Sequence, residues 1–522
     1  MRSESSIKTK RSGLGELVMT ARTYYCLCMS FLIIPVLIFC AGYLKPYIGI
    51  PLALVFAGLV VFAVKGYGDK DKDAKELVRL PWKYVVICAV IAVAISFITG
   101  VGEFVYTLQD HAFRRAMLRD LINYDWPVIF DSSTQTNPAV IEFFAGRGDK
   151  WAFCYYFTYL LPAALVGKLG GMTAGCVTLL IWNSIGILLI FIGMTVFAGR
   201  PSYAGPFIFI FFAGLDVIPF VVNAFNHYDW WFWMEGYVPY LSYVANFTEL
   251  CNVFNQVVPC FLIVLLLMIQ PGTRSEGLTA GILFAYSPWA TIGILPLAVG
   301  AFFRKEGGAG KGIQAVKNIF TPVNILSAGL ILFLFGSLYT SNSGSVSFQG
   351  LSWTFYENPL LFAVAYIIFI ALEVLPFFLI LRRRNGKDPM FIAAMITLML
   401  LPVYVVSEMN DFTMRGSMPA LFVIQLYLTS MVSEYALKNE VPKDKGGRIK
   451  AALVALVLIL MMFPALENLF VIGGNEIQHS PRNSEAVGSF GNIRDEEHLI
   501  NCTNNYMSEN YEDSFFFKYL AR

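Results

Sequence analysis

The sequence predicts an all-α polytopic membrane protein with about 13 transmembrane helices and a large first external loop. Hydrophobic residues make up 57% of the 522 residues and charged residues 14%, whereas soluble domains contain roughly 45 to 50% apolar residues. Apolar runs long enough to cross a bilayer recur from end to end. Because backbone groups in lipid must be hydrogen-bonded within their own segment, each run is predicted to be a helix.

The basic residues between these runs give the predicted topology. They precede the first run and fill alternate connections, which the positive-inside rule places in the cytoplasm. The prediction requires that residues 151–169 do not cross and that residues 278–303 form two short helices broken at Ser287-Pro288. It gives a plasma-membrane protein with a cytoplasmic N-terminus and an external C-terminus. The predicted spans are residues 25–41, 49–64, 84–101, 172–198, 207–222, 257–269, 278–303, 322–339, 360–381, 390–407, 419–437 and 451–466.

Charge and apolar content divide the chain into three parts. A cytoplasmic arm precedes a membrane domain, and a polar external tail follows it. The tail ends in the apolar run 515–520, which predicts that it folds against a partner surface, since exposed apolar patches usually mark contacts. No internal repeat is visible, which disfavours many carrier folds. The parts are residues 1–23, 24–467 with external loops 102–171, 223–256 and 341–358, and 468–522.

The first external loop contains the strongest catalytic candidate. Asp110 and His111 open a segment, residues 110–124, whose helical spacing predicts an amphipathic helix along the membrane interface. A carboxylate at this height can take a proton from an attacking hydroxyl, and His111 is a candidate substrate-binding residue. Alternatively, Asp110 only caps the helix. Glu103 is the nearest rival for the catalytic role.

Two further acidic regions are candidates. Asp216 stands in an otherwise apolar run, and an ionisable residue inside a membrane is a functional candidate by default; alternatively it reaches the outer surface. Residues 226–235 combine His227 and Asp229 with many aromatic residues, which suit either the membrane interface or stacking on a sugar. We take Asp216 as a second catalytic candidate and His227 and Asp229 as substrate-binding candidates.

Arg415 and Lys168 are basic residues on the predicted external side, against the general trend. Such cations suit an anionic phosphate, which a guanidinium binds by paired hydrogen bonds. The alternative for Arg415 is a structural pair with Asp411 at i,i+4 spacing. The four histidines show no metal-ligand spacing, so no cofactor is predicted with certainty and a divalent metal ion stays an open option. The net charge of +2 says little about partners, and no nucleic-acid partner is predicted.

Nucleotide-binding and hydrolase motifs are absent from the sequence. It contains no Walker loop, no G-x-S-x-G and no H-E-x-x-H. Energy for any reaction must therefore come from the substrate, a gradient or a partner.

Four segments resemble the GT-C glycosyltransferases, including bacterial members of that superfamily. They are residues 118–127, 155–168, 287–290 and 410–420. The resemblance implies a multipass fold in which a sugar moves from a polyprenyl-phosphate or related lipid donor to a cell-envelope acceptor. It also implies that Asp110 is catalytic and that Asp216 or Asp229 is a second acidic site residue. The segment Tyr228-Asp229-Trp230-Trp231 is not the Trp-Trp-Asp motif of oligosaccharyltransferases, which disfavours protein N-glycosylation.

The sequence thus predicts an inverting, membrane-embedded glycosyltransferase that acts at the external face. One rival is a related polysaccharide polymerase or ligase. Rivals from other classes are a flippase or transporter for lipid-linked glycans, with acidic residues that couple to protons, and a structural subunit of an envelope complex. The polar residues within the apolar regions concentrate on one side, which favours transfer chemistry over transport.

Overall fold

The computed structural model describes residues 15–65, 76–226, 233–269, 275–306, 320–342, 348–407, 409–438, 445–480, 488–493 and 505–522. In order, the α-helices are α1 Ala21–Tyr43, α2 Pro46–Lys65, α3 Trp82–Ile98, α4 Gln109–Asn123, α5 Pro138–Phe144, α6 Leu161–Ala198, α7 Ala204–Phe211, α8 Val217–Asn226, α9 Asn246–Ile269, α10 Glu276–Gly281, α11 Pro288–Glu306, α12 Pro322–Tyr339, α13 Pro359–Glu373, α14 Leu375–Asn385, α15 Pro389–Leu400, α16 Asp411–Lys438, α17 Lys445–Leu460 and α18 Phe463–Ile477.

Short strands join the connections between helices. Strands β1 and β2 pair with each other, as do β5 with β6 and β7 with β8, while β3, β4 and β9 form one three-stranded antiparallel sheet. The three-stranded sheet joins the first long loop, which contains β3 and β4, to the C-terminal tail, which contains β9. The strands are β1 Glu16–Thr20, β2 Glu76–Pro81, β3 Ile129–Asp131, β4 Lys150–Phe153, β5 Gln349–Leu351, β6 Tyr404–Val406, β7 Gly488–Ser489, β8 Asn492–Ile493 and β9 Met507–Ser508.

Among the described residues, seven helices are long and apolar enough to cross a membrane. The pair α13 and α14, bent by 53°, supplies an eighth if it is one broken span, and four shorter apolar segments accompany them. The predicted class, a mainly helical polytopic membrane protein, is therefore confirmed. The predicted break at Ser287-Pro288 is also confirmed, because a 3-10 turn ends at Ala285 and α11 begins at Pro288.

Helix α6 folds back on itself at Gly171. This glycine has a φ of 78° and a ψ of −179°, a backbone conformation that glycine adopts at low cost. Residues equally distant from Gly171 meet across the bend: the Tyr159 hydroxyl donates to Asn183 Oδ1 at 2.9 Å, and a Cβ on Gly167 would lie 3.4 Å from the Gly175 Cα. The segment before Gly171 is thus one arm of a helical hairpin.

Connections that carry basic residues meet at one end of the helix bundle, which we call the basic end. Arg384, at the end of α14, donates two hydrogen bonds of 2.6 Å to Glu434 near the end of α16. Arg200, just beyond α6, lies 3.8 Å from the same carboxylate. Arg304 of α11 lies 3.4 Å from Asp388, which precedes α15. The ends of α6, α11, α14 and α16 are therefore close in space.

The opposite end of the bundle is covered by a structure that we call the cap, made of residues 102–157 of the first loop with residues 488–493 and 505–522 of the tail. The Arg522 amide donates to the Tyr43 carbonyl at the end of α1 over 2.9 Å. Phe516 packs against Phe39 with ring centroids 6.1 Å apart. The apolar end of the tail is therefore bound to the membrane domain.

Helix α4 differs from the expected interfacial helix because the cap encloses it. Its apolar residues are buried, and so are Arg114 and Asp120, which are 2% and 0% exposed. The Asp120 carboxyl accepts hydrogen bonds from the Ser489 hydroxyl at 2.5 Å and the Phe490 amide at 2.8 Å. Segments remote in sequence thus satisfy the polar groups that the helical pattern alone assigns to water.

The Asp120 contact makes attachment of the tail depend on pH. Burial raises the pKa of the Asp120 carboxyl to about 7, although hydrogen bonds from Ser489 and Phe490 act in the opposite direction. Because the value in the folded protein lies above the ordinary value of about 3.9, attachment is most stable below about pH 4 and weakens as the pH rises through about 7.

We therefore expect protease to remove the tail at least roughly tenfold faster at pH 8 than at pH 5, the effect of one pKa unit. Rates are normalised at each pH to an unfolded tail peptide. Asp120→Asn should flatten this dependence because the amide keeps the shape and does not ionise, while the exposed Asp125→Asn should not. Equal normalised rates in the wild type at both pH values would contradict the role of Asp120.

Candidate functional site

Three helices, α4, α9 and α16, come together beneath the cap. Helix α4 begins beside α9, because His111 Nδ1 donates to the Cys251 carbonyl at 3.1 Å and Arg114 Nε donates to the Asn252 carbonyl at 3.3 Å. The first turn of α16 brings Arg415 into electrostatic contact with Asp110.

Asp110 interacts electrostatically with two buried arginines, Arg114 and Arg415. Arg114 is one helical turn beyond Asp110 on the same face of α4. The Asp110 residue is only half-buried, whereas Arg114 and Arg415 are 2% and 7% exposed. This arrangement places a partly exposed carboxylate within electrostatic range of two guanidinium groups.

Both guanidinium groups retain donors that no described residue satisfies. Arg114 Nη1 and Arg415 Nε are buried and have no hydrogen-bond partner in the described part of the chain. Leaving a buried charged donor unsatisfied is costly, so an anionic ligand at this place would satisfy them. Arg415 also bonds Asp411 through Nη1, which is the structural pair that i,i+4 spacing predicts.

Aromatic side chains border the two arginines. The Arg114 guanidinium lies over the Tyr155 ring at 5.7 Å from its centroid, a cation–π geometry. Tyr155 stacks closely on Tyr156 and contacts Tyr506 of the tail, with ring centroids 4.4 Å apart for the second pair. The tail thus contributes to the wall of the site.

His111 lies between α4 and α9. Burial lowers the pKa of its imidazole to about 4, so the ring is neutral near pH 7, with its Nδ1–H donated to the Cys251 carbonyl. Its ring packs against Phe254 with centroids 5.4 Å apart. These contacts fix α4 against α9, and they place His111 beside Asp110 as a positioning group.

Asp216 belongs to a second acidic cluster. It is fully buried in the break between α7 and α8, and its carboxyl group lies beside that of Glu373, the last residue of α13. The Tyr237 hydroxyl donates to Glu373 Oε1 at 2.9 Å. Two carboxyl groups in contact cannot both ionise easily, so this pair is suited to holding one proton.

Glu235 and Glu249 connect the two groups of acidic residues. Glu249 interacts electrostatically with Asp110 and Arg415 on one side and with Glu235 on the other. Glu235 Oε1 accepts from the Ala245 amide at 2.8 Å and from the Thr248 hydroxyl at 2.9 Å. Burial and the neighbouring Asp216 raise the pKa of the Glu235 carboxyl. Acidic groups therefore extend from Asp110 towards Asp216.

The structure does not bring Lys168 to Asp110. Lys168 Nζ donates to the Tyr124 carbonyl at 2.6 Å and to the Ile122 carbonyl at 3.3 Å, so it caps the far end of α4. Asp110 lies fourteen residues before Tyr124, which places it roughly 20 Å away along the helix. The candidates His227 and Asp229 lie outside the described residues.

A divalent metal ion finds no ready site in the described part of the chain. No group of three or more His, Cys, Asp or Glu side chains there could hold one. The acidic pair Asp216–Glu373 offers carboxyl groups only from two residues in direct contact.

Arg114, Glu373 and Glu249 are among the site residues that sequence reasoning missed. Arg114 follows Asp110 by four residues, which already places both on one helix face. Glu373 interrupts an apolar run, and the rule that selected Asp216 selects it equally. Glu249 gave no such signal, because it precedes the apolar run of α9 in a polar stretch.

Comparison of the chain with models of known protein families, with curated proteins and with solved structures gives no match. Functional inference therefore rests on the chemistry of the site and on the resemblance of the four sequence segments.

Proposed function

We propose that the protein is an integral-membrane glycosyltransferase of the GT-C type, which moves a sugar from a polyprenyl-phosphate-linked donor to a cell-envelope acceptor with inversion. The observation that carries the proposal is the half-buried Asp110 within electrostatic range of the buried Arg114 and Arg415, whose unsatisfied guanidinium donors suit a phosphate. The site lies at the capped end of an apolar bundle, where a lipid-linked donor and a polar acceptor can meet.

The proposed reaction assigns one role to each group. The acceptor oxygen attacks the anomeric carbon and forms the new glycosidic bond, while its proton passes to the Asp110 carboxylate. The bond from the anomeric carbon to the phosphate oxygen breaks, and the oxygen leaves with the electron pair. Arg114 and Arg415 stabilise the charge that develops on the departing polyprenyl phosphate. Tyr155 provides an apolar ring face near the sugar.

The proposal places the cap outside the plasma membrane and the basic end in the cytoplasm. The proposed topology of about 13 passes counts the seven long helices, the bent pair α13 and α14 and the four shorter apolar segments, which make twelve, together with the short helices α7 and α8. A membrane-impermeant thiol reagent should therefore label Ser132→Cys in intact cells and should label Arg383→Cys only after permeabilisation. Both variants are made in a background without the native cysteines. The opposite pattern would invert the topology and remove the proposed external site.

A second candidate function is proton-coupled transport of a lipid-linked glycan. It is favoured by the pair Asp216–Glu373, which lies where two broken helix pairs, α7 with α8 and α13 with α14, meet. Transporters often build their sites at such discontinuous helices. If the protein is such a transporter, Asp216→Asn and Glu373→Gln should each abolish the movement of the lipid-linked glycan that a pH gradient drives.

Sugar transfer by the purified protein separates the two candidates. For the transferase we expect Asp216→Asn to reduce transfer from a labelled polyprenyl-phosphate donor by less than roughly tenfold, because Asp216 is not in contact with Asp110 or the arginines, whereas a lost general base costs more. A loss as large as that of Asp110→Asn would assign Asp216 to the reaction itself.

A further inference from the structure

A groove of about 940 Å³ opens between α11 and α15 at the basic end of the bundle. This volume is at the upper end of the roughly 300 to 1,000 Å³ typical of ligand sites. The groove lies at the opposite end from the cap and Asp110, so nothing in the proposed transfer reaction uses it.

Close approach of two backbones forms the floor of the groove. A Cβ on Gly300 of α11 would lie 3.0 Å from the Pro389 carbonyl oxygen and 3.1 Å from the Ala393 Cβ of α15. Larger apolar side chains stand on either side, with Val299 and Ile396 each 50% exposed. Small residues below and branched residues beside them make a channel whose walls suit a hydrocarbon chain.

Charged residues at the mouth of the groove are held in place. Asp388 Oδ1 accepts from the Met390 amide at 3.0 Å and so caps α15, while its other oxygen lies 3.4 Å from Arg304 Nε. Arg304 Nη1 also donates to the Met268 carbonyl at 3.0 Å. Arg304 is therefore anchored on one edge, and its charge offsets that of Asp388.

Lys387 gives the mouth its net positive charge. It is exposed, and it forms no ion pair or hydrogen bond with the described residues. Together with Arg304 and Asp388 it leaves one uncompensated positive charge beside an apolar channel. Arg382 and Arg383, exposed in the last turn of α14, add further positive charge nearby in the chain.

We propose that this groove binds an anionic phospholipid, with its phosphate at Lys387 and Arg304 and an acyl chain between α11 and α15. Basic pockets between transmembrane helices recognise the headgroups of anionic lipids. A neutral lipid would fill the channel and leave the lysine charge unpaired, whereas a soluble phosphate would pair the charge and leave the apolar walls empty. The combination selects a lipid that has both parts.

The test is selective lipid retention by the full-length protein in detergent, measured by native mass spectrometry. Wild type is mixed with phosphatidylglycerol and phosphatidylcholine of identical acyl chains, and we expect at least roughly tenfold preference for the anionic lipid, as for a difference of about 1.4 kcal/mol. Lys387→Gln should remove the preference. Ile396→Trp should narrow the channel and reduce retention of phosphatidylglycerol.

Arg448→Gln is the matched control, since it removes an exposed positive charge at the same end on α17, and it should keep the wild-type preference. Glycerol phosphate, which has the charge without the chains, should not compete at equal concentration. Gel filtration of each variant verifies its fold. An unchanged preference in Lys387→Gln, unchanged retention in Ile396→Trp, or no preference in the wild type would overturn the proposal, and so would competition by glycerol phosphate.

Discussion

Asp110→Asn should reduce sugar transfer by about 10²- to 10⁴-fold, the usual effect of losing a general base. The amide has the same size as the carboxyl group and cannot take the proton of the attacking hydroxyl. Donor binding should persist, because Arg114 and Arg415 remain in place and lose only a neighbouring negative charge. The measurement is transfer of labelled sugar from a polyprenyl-phosphate donor by purified protein, with donor binding measured separately.

Asp149→Asn is the control for this substitution, because Asp149 is an exposed aspartate of the same loop. The Asp149→Asn variant should transfer sugar at the wild-type rate. Since the change is isosteric and Asp110 is half-buried, the variant should fold as the wild type does. Wild-type transfer by Asp110→Asn would remove Asp110 from the mechanism and make Glu103 the next residue to test.

Arg114→Gln and Arg415→Gln should each weaken donor binding by roughly 10- to 100-fold. A hydrogen bond to a charged group contributes about 1.5 to 3 kcal/mol, and each guanidinium has a buried donor that no described residue uses. The effect should fall on binding of polyprenyl phosphate itself, measured without any acceptor. Arg114→Lys should recover little, because an ammonium group places its donors on a single nitrogen and cannot reach both positions that Nε and Nη1 of the guanidinium occupy.

Arg147→Gln provides the comparison for the two arginines. Arg147 is also in the cap but lies at its surface, 3.8 Å from Glu509, and exposed pairs contribute little. The Arg147→Gln variant should bind the donor with wild-type affinity. Equal donor affinity in the Arg114 and Arg415 variants, with the fold intact, would show that the buried guanidinium groups have a structural role alone.

Much of the fold could be predicted because membrane helices leave a strong local signal. The length of the apolar runs predicted the class of protein, and Ser287-Pro288 predicted a break between two helices. The spacing of apolar residues in 110–124 predicted helix α4. The enclosure of α4 could not be predicted, since its Asp120 is satisfied by residues some 370 positions later. Contacts of this kind depend on how the tail folds back, which no local pattern records.

The candidate site was predictable only in part, for a similar reason. Asp110 and Arg415 were selected singly, and the structure brings them into electrostatic contact. Lys168 was selected only for its positive charge and its predicted external location. Neither property reveals that its ammonium group donates to the carbonyl of Tyr124. Asp216 was found by the cost of burying charge, which identifies a buried acid without identifying its partner, Glu373.

The most direct test of the proposed function is the fate of the sugar–phosphate bond in liposomes that contain the purified wild-type protein. The liposomes carry a labelled polyprenyl-phosphate sugar and an extract of envelope lipids as acceptor. A transferase should release one polyprenyl phosphate for each sugar transferred, and Asp110→Asn should release almost none. Movement of the intact donor across the bilayer, driven by a pH gradient and with its sugar–phosphate bond unbroken, would contradict the proposal and identify a transporter.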